Sequence, residues 1–174
     1  MHWLTWLIYP LFFVSFCVIG FFTFTLLANL IAAPFYAKLA AKTLIVINAP
    51  PLSTFEPSSI QVWKAELKRL NYSLTHTLPL LVLFLIPVVN VIAPLLWLVF
   101  SAWCVALEYF AFPLENRGIL FPQQKKRLKT MRLSALSFGG LVMLGLSLPI
   151  INIVVAPVAV IAATLYMQAH TTEN

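Results

Sequence analysis

At 174 residues the chain is long enough for one ordinary soluble domain, yet only 9% of its residues are charged and 61% are hydrophobic, where a typical soluble protein carries roughly 25% charged residues. Eleven cations and five glutamates, with no aspartate and a net charge of +6, cannot coat a water-exposed surface. Composition therefore excludes a cytosolic enzyme, a disulfide scaffold and a disordered tail, and leaves an integral membrane protein. Cys17 and Cys104 stand inside apolar runs and read as small lipid-facing or core side chains. No metal or cofactor is expected.

The first apolar run, 3–37, has no formal charge and is bracketed by Trp3, Trp6 and Tyr9 at one end and by Tyr36 and Lys38 at the other. Aromatic ends and a lysine at the exit are those of a segment that crosses both interfaces. Thirty residues rise about 45 Å, more than a hydrocarbon layer of roughly 30 Å, so this helix must tilt, kink near Pro10 or protrude. It lacks the basic start of a secretory signal.

Residues 50–76 are polar. Pro50-Pro51 and Glu56-Pro57-Ser58-Ser59 mark a turn and a helix start, after which Ile60, Trp63, Leu67, Leu70 and Leu74 recur at helical spacing, with Lys64, Glu66, Lys68 and Arg69 elsewhere around the wheel. This predicts an amphipathic helix at the interface or packed on the bundle. Its Lys64, Lys68 and Arg69 form a solvated or headgroup-binding face, or one that concentrates anions.

The second run, 78–107, is interrupted by Pro87 and Pro94, and the third, 133–169, by Pro149 and Pro157. If each proline pair breaks a helix, the legs 78–86, 95–112, 134–148 and 157–168 measure about 13, 27, 22 and 18 Å, all short of the roughly 30 Å needed to cross. Each run is then either one kinked spanning helix or a re-entrant hairpin that enters and leaves on one side. Charge favours the hairpins. They place the five cations of 38–69 and the six of 117–132 on the same side, as the positive-inside rule requires.

The prolines recur in register. Asn29-Leu-Ile-Ala-Ala-Pro34, Asn90-Val-Ile-Ala-Pro94 and Asn152-Ile-Val-Val-Ala-Pro157 repeat an Asn followed by Ala-Pro, a weak internal repeat of a helix-turn-helix unit. Pro94 and Pro157 would each start a helix whose free amides and positive dipole end sit at a hairpin tip within the membrane. Such ends suit anions without a permanent charge. Asn29, Asn90 and Asn152 then either satisfy turn backbone or line an anion path.

The connection 113–132 holds Glu115-Asn116-Arg117-Gly118 and Lys125-Lys126-Arg127, a topology signal and an anionic-lipid contact rather than a nucleic-acid surface. Arg117, directly after a hairpin leg, has the planar fork to chelate a tetrahedral oxyanion. Glu108 lies within an apolar leg, where a carboxylate is costly. It is either a snorkelling interfacial group or a proton site that works with His76 when a dianion passes. No metalloprotease His-Glu-x-x-His, Gly-x-Ser-x-Gly or Walker loop is present, so the chain is not read as an enzyme.

Several stretches carry a family resemblance: Ala28-Asn29-Leu-Ile-Ala-Ala-Pro34-Phe35, Lys64-Ala-Glu66-Leu-Lys68, Ile92-Ala-Pro94-Leu-Leu-Trp97 with Phe100-Ser101-Ala102-Trp103, Phe112-Pro113-Leu-Glu115-Asn116, Phe138-Gly139 and Ala156-Pro157-Val-Ala159. With these the chain resembles the CysZ family of bacterial sulfate transporters from about Trp3 to His170. The resemblance implies an oligomeric, all-helical, multi-pass protein of the bacterial inner membrane, with long helices and partially penetrating hairpins, that takes up sulfate for cysteine synthesis. Family members look longer at the front, with a further long helix and a Gly- and Arg-containing sulfate-binding segment before the part matching Trp3, so the chain is expected to lack that portion. No sulfate ligand of the family is carried over.

The expected architecture is an all-α integral membrane protein in a single domain, 1–174. It comprises a long transmembrane helix with its extension (1–48), an amphipathic helix (57–76), a first proline-broken re-entrant helical hairpin (77–112), a basic connection (113–132) and a second such hairpin (133–170). The expected function is passive or proton-linked passage of sulfate through a homo-oligomer in contact with membrane lipid. Asn29, Asn90, Asn152, Arg117, Lys64, Lys68 and Arg69 are its anion candidates, and Glu108 and His76 its proton candidates. The alternative is a non-transporting membrane scaffold or curvature protein.

Overall fold

The computed structural model describes residues 2–49, 58–148 and 150–172. Helices are their only regular structure: α1 His2–Val46, α2 Ser59–Leu83, α3 Ala93–Glu115, α4 Gln123–Thr130, α5 Arg132–Leu146 and α6 Asn152–Thr172. The chain divides into two compact units, Met1–Tyr36 and Ala37–Asn174. In the first, most described side chains, Trp6, Tyr9, Phe12, Phe16 and Phe22 among them, are exposed, as suits a segment surrounded by lipid. Pro10 and Pro34 both lie inside α1.

The helix boundaries of the second unit follow local chemistry. Asn48 takes φ 49° and closes α1, its amide donating to the Ile45 carbonyl and that of Ala49 to Leu44, the double bond of a Schellman turn. Ser58 opens α2 with a capping box, its hydroxyl accepting from the Gln61 amide while Gln61 Oε1 accepts from the Ser58 amide. Gly118, at φ 72°, ends α3 as Asn48 ends α1, with Gly118 donating to Glu115 and Ile119 to Leu114.

Two expectations need correction. The leg expected to begin a hairpin at 77 is the continuation of α2, which passes through Pro79 to Leu83. Nor does Pro157 start a helix; α6 begins at Asn152 and contains it. Amides of Asn152, Val154 and Val155 already donate to Leu148 and Ile151, so the helix is under way before Pro157 removes one donor near its beginning, where the loss is small. The leg lengths change accordingly. The 23 residues of α3 and 21 of α6 rise about 35 and 32 Å, and both are long and apolar enough to cross a membrane. Helices α2 and α3 join through residues 84–92, and α5 and α6 through 147–151.

Helix α3 is the hub, packed on α2, α4, α5 and α6. Its Ala106, Leu107, Phe110 and Leu114 meet Leu128 of α4, Ala135 of α5 and Ala163 and Met167 of α6. The Phe110 ring lies 4.7 Å from that of Phe138 and 5.8 Å from that of Tyr166. Small residues let α3 and α5 approach closely, since a Cβ on Gly139 would stand 1.9 Å from the Ala102 carbonyl oxygen.

A polar clamp ties α2 to this hub. Arg69 is 2.9 Å from Glu115 Oε1 and 3.0 Å from Glu66, and it donates to Gln124 Oε1 at 2.7 Å. Gln124, fully buried, returns its own amide hydrogens to Glu115 and to the Ile119 carbonyl. Asn116 donates to the Ala37 carbonyl at 2.9 Å, so the end of α3 also holds the last part of α1. Burial holds the Glu66 carboxyl above its ordinary 4.5, with Arg69 drawing it down and Glu115 pushing it up.

Gly139→Ala should lower thermal stability in detergent by about 1–3 kcal/mol through overpacking, whereas Gly140→Ala, where a Cβ meets nothing within 4 Å, should leave it unchanged or slightly raised. Arg69→Met, stranding two carboxylates with side-chain exposures of 41% and 30%, should cost about 1–3 kcal/mol, between the limits for exposed and buried pairs. Because the folded chain holds the Glu66 proton more tightly than the unfolded chain does, the stability this supplies is complete below pH 4.5 and fades as pH rises through the elevated value. Melting curves of Glu66→Gln across that range should therefore fall less steeply with pH than those of the parent.

Candidate functional site

The clamp, the end of α3, α4, the start of α5 and the end of α6 lie together at one end of the second unit. Contacts from Arg69 to Glu115 and Gln124, from Arg117 to Gln168, and among Leu114, Leu128, Ala135 and Met167 place them there. Nine cations belong to this region or to the segments leading into it: Lys64, Lys68 and Arg69 on α2 and the six of residues 117–132. The connections 84–92 and 147–151 are at the opposite ends of the helices they join. Val88, Val91 and Ile150 there are more than 80% exposed yet wholly apolar.

The expected anion ligands separate into different environments. Arg69 is committed to two carboxylates and an amide and so acts as a clamp. Lys64 and Lys68 are exposed on α2. Arg117, half-buried, donates to the side-chain oxygen of Gln168 on α6. Burial first and the nearby Arg127 charge second lower its pKa. Arg117 thus joins α3 to α6 and shares its surroundings with a second arginine.

Free amides at the hairpin tips are not what the structure shows for α3, and the reason is geometric. The turn before α3 is itself wound, so the Ile92 and Ala93 amides donate to Val89, the Leu95 and Leu96 amides donate to Ile92, and Pro94 has no donor. Those amides have no bond to spare for an anion. Asn90 is exposed in this turn with its backbone amide on Ile86, and Asn152 is the exposed first residue of α6 with its amide on Leu148. Neither caps α3, whose N-cap is Ile92 with no side-chain bond. Asn29 is in α1, and its side chain lies outside the described residues.

Glu108 and His76 are also apart. His76 donates Nδ1–H to the Tyr72 carbonyl at 2.8 Å and stacks on Phe100, ring centroids 6.1 Å apart. Eight residues separate Phe100 from Glu108 along α3, a rise of about 12 Å. The charges that act on Glu108 are Arg69 and Glu66.

A groove of about 790 Å³ runs between α2, α3 and the start of α5. Tyr72, His76, Trp103, Lys129 and Arg132 form its polar part, and Pro79, Leu80, Leu96 and Val99 its apolar part. Trp103 Nε1–H donates to the Tyr72 hydroxyl at 3.2 Å, and Lys125 Nζ stands 4.3 Å above the Tyr72 ring, within cation–π range. Sequence patterning missed this groove and the roles of Gln124 and Glu115. Partners 46 and 55 residues from Arg69 leave no periodic signal; a glutamine inside a basic stretch was the one local oddity.

The family model described as "Sulfate transporter CysZ/Etoposide-induced protein 2.4" matches residues 1–157. A protein of Pseudomonas fluorescens named "Sulfate transporter CysZ" is 37% identical over 172 residues, covering 95% of this chain and 69% of its own length. Its namesake from Pseudomonas syringae pv. tomato is 39% identical over 174 residues, with the same coverage. That from Pseudomonas aeruginosa is 36% identical over 172 residues, covering 95% of this chain and 70% of its own. With a helical bundle, two helices able to cross a membrane and this similarity along nearly its whole length, the chain belongs to the family described as sulfate transporter CysZ/etoposide-induced protein 2.4.

Proposed function

We propose that this chain passes sulfate across the bacterial inner membrane as a multi-pass homo-oligomer and supplies it for cysteine synthesis. The observation that carries the reading is its identity of 36 to 39%, over 95% of its length, with proteins named sulfate transporters. Transport needs no cofactor in this reading, since lowering the dianion's desolvation cost is a matter of charge and geometry. Cations gathered at one end raise the local anion concentration, and Arg117 with Arg127 supplies bidentate donors where sulfate sheds water. Lys64 and Lys68 extend that field along α2. Proton linkage of the transport falls to Glu108, the one carboxyl side chain within the apolar part of α3.

We further propose that the α2–α3 and α5–α6 pairs are re-entrant hairpins within one membrane domain. Their connections support this: residues 84–92 carry no charge, and Leu85, Val88 and Val91 are at least 80% exposed. A turn of that composition is stable in hydrocarbon and poorly suited to emerging into water. Its wound backbone, in which the Phe84, Leu85, Ile86, Val89, Asn90 and Ile92 amides donate within the turn or back to the end of α2, goes most of the way to the membrane's demand for internal hydrogen bonding.

Purified protein in proteoliposomes should take up radiolabelled sulfate above empty vesicles, with competition by sulfite and indifference to chloride. Arg117→Gln should reduce the rate about tenfold, the scale of one charged hydrogen bond. Uptake no greater than in empty vesicles would leave the scaffold reading. A pH profile of flux unchanged by Glu108→Gln would remove proton linkage alone. In oriented vesicles lacking Cys17 and Cys104, single cysteines at Asn71 and Lys126 should react with an impermeant reagent from the same side, and those at Val88 and Ile150 from neither. Labelling of Val88 from the side opposite Lys126 would show that the first hairpin crosses.

A further inference from the structure

We infer that the groove between α2, α3 and the start of α5 is a binding site for an anionic phospholipid, with the phosphate at Lys129 and Arg132 and an acyl chain along Leu80, Leu96 and Val99. The proposal rests on the membrane placement of the bundle, not on sulfate passage. The groove's volume of about 790 Å³ falls within the range of roughly 300–1,000 Å³ that holds small ligands.

Its polarity is graded along its length. Helices α2 and α3 run antiparallel, with the Arg69–Glu115 pair towards one end, Tyr72 bonded to Trp103 and His76 stacked on Phe100 between, and the Phe84 and Trp97 rings 6.0 Å apart towards the turn. Moving from the charged end to the turn, the groove wall changes from Lys129, Arg132 and Tyr72 to Pro79, Leu80 and Leu96. That sequence of surfaces is the profile of a lipid, headgroup to tail. A free inorganic anion would use only the first part and leave the apolar part wet.

Charge complementarity selects an acidic headgroup. Arg132 is braced by its Nε donating to the Lys129 carbonyl at 3.2 Å, which holds its guanidinium at the mouth. The ion pairs among the described residues are those of Arg69 with Glu66 and Glu115, so neither Lys129 nor Arg132 is matched by a carboxylate there. Lys125, over the Tyr72 ring, adds a third cation at the same edge. Tyr72 and Trp103, an aromatic pair with polar tips, belong at headgroup level. Basic pockets between membrane helices at an interface are the kind of site that takes such headgroups.

Trp103 lines the groove and reports directly. In nanodiscs, phosphatidylglycerol brominated on its acyl chains should quench the Trp103-dependent fluorescence, defined by difference from Trp103→Phe, at a lower mole fraction than brominated phosphatidylcholine. The preference should be on the order of tenfold or more and fall about fivefold for each of Lys129→Gln and Arg132→Gln. The comparison of the two lipids with Lys129 and Arg132 intact needs only Trp103→Phe and stands even if the Lys129 and Arg132 variants fail to fold. Equal quenching by both lipids would overturn the proposal. So would displacement of the brominated lipid by inorganic sulfate or glycerol phosphate at millimolar concentration, which would make this an anion site, or protection of Trp103 from both lipids in a crosslinked dimer, which would make it an interface between copies. Sulfate flux plays no part in this measurement, so its failure and that of the transport reading are separate.

Discussion

Arg69 is four-fifths buried between two carboxylates and a buried amide, and the remaining architecture of the second unit depends on that arrangement. A guanidinium can be withdrawn from solvent only if its charge is met, and here the partners of its two terminal nitrogens come from α2 itself, from the end of α3 and from the start of α4, while the buried Nε has no partner among the described residues. Satisfying one cation therefore joins three helices at one end. Gln124 closes the arrangement by bonding both Glu115 and the Ile119 carbonyl. With so few acids in the chain, the two that meet Arg69 are unavailable elsewhere, and Lys126, Lys129 and Arg132 stand exposed.

The opposite end obeys a different rule. If, as proposed, the connection 84–92 lies in lipid, it must contain its own hydrogen bonds, and most of its amides find them by winding into successive turns. The second unit is thus polarised along α3, with charge and aromatic tips at one end and a wound turn with mostly aliphatic side chains at the other. Close packing sustains that axis. Gly139 against the Ala102 carbonyl brings α5 onto α3, and the aromatic group of Phe110, Phe138 and Tyr166 fills the space towards α6. The groove beside α2 inherits the same gradient, because its walls are these helices.

Much of this was readable in the residues. The absence of charge from long runs, Ser58 at a helix start and the apolar spacing of α2 each follow from local rules, and each has its place in the structure. Proline was misleading at one place. Pro157 carries the same local signal as Pro87 and Pro94, yet α6 passes through it, because the flanking turns continue to hydrogen bond and only one donor is lost. The expectation of free amides before Pro94 failed for a related reason: a wound turn consumes donors that an extended one would have left open.

What the sequence determined by itself was the solvent and the class of fold. A chain with a charge on fewer than one residue in ten has to bury itself in lipid, and in lipid a chain with no strand-like alternation must be helical. Helix ends signalled by Ser58, Asn48 and Gly118 belong to the same level, since caps and turns involve neighbours a few residues apart. The tertiary structure alone decided which charges are structural and which face outwards. Arg69 and Arg132 are indistinguishable as letters, but one is enclosed by Glu115 and Gln124 and the other stands at the mouth of a groove. The difference arises from contacts between residues dozens of positions apart, where the energy of a charge depends on its surroundings rather than on its neighbours in the chain.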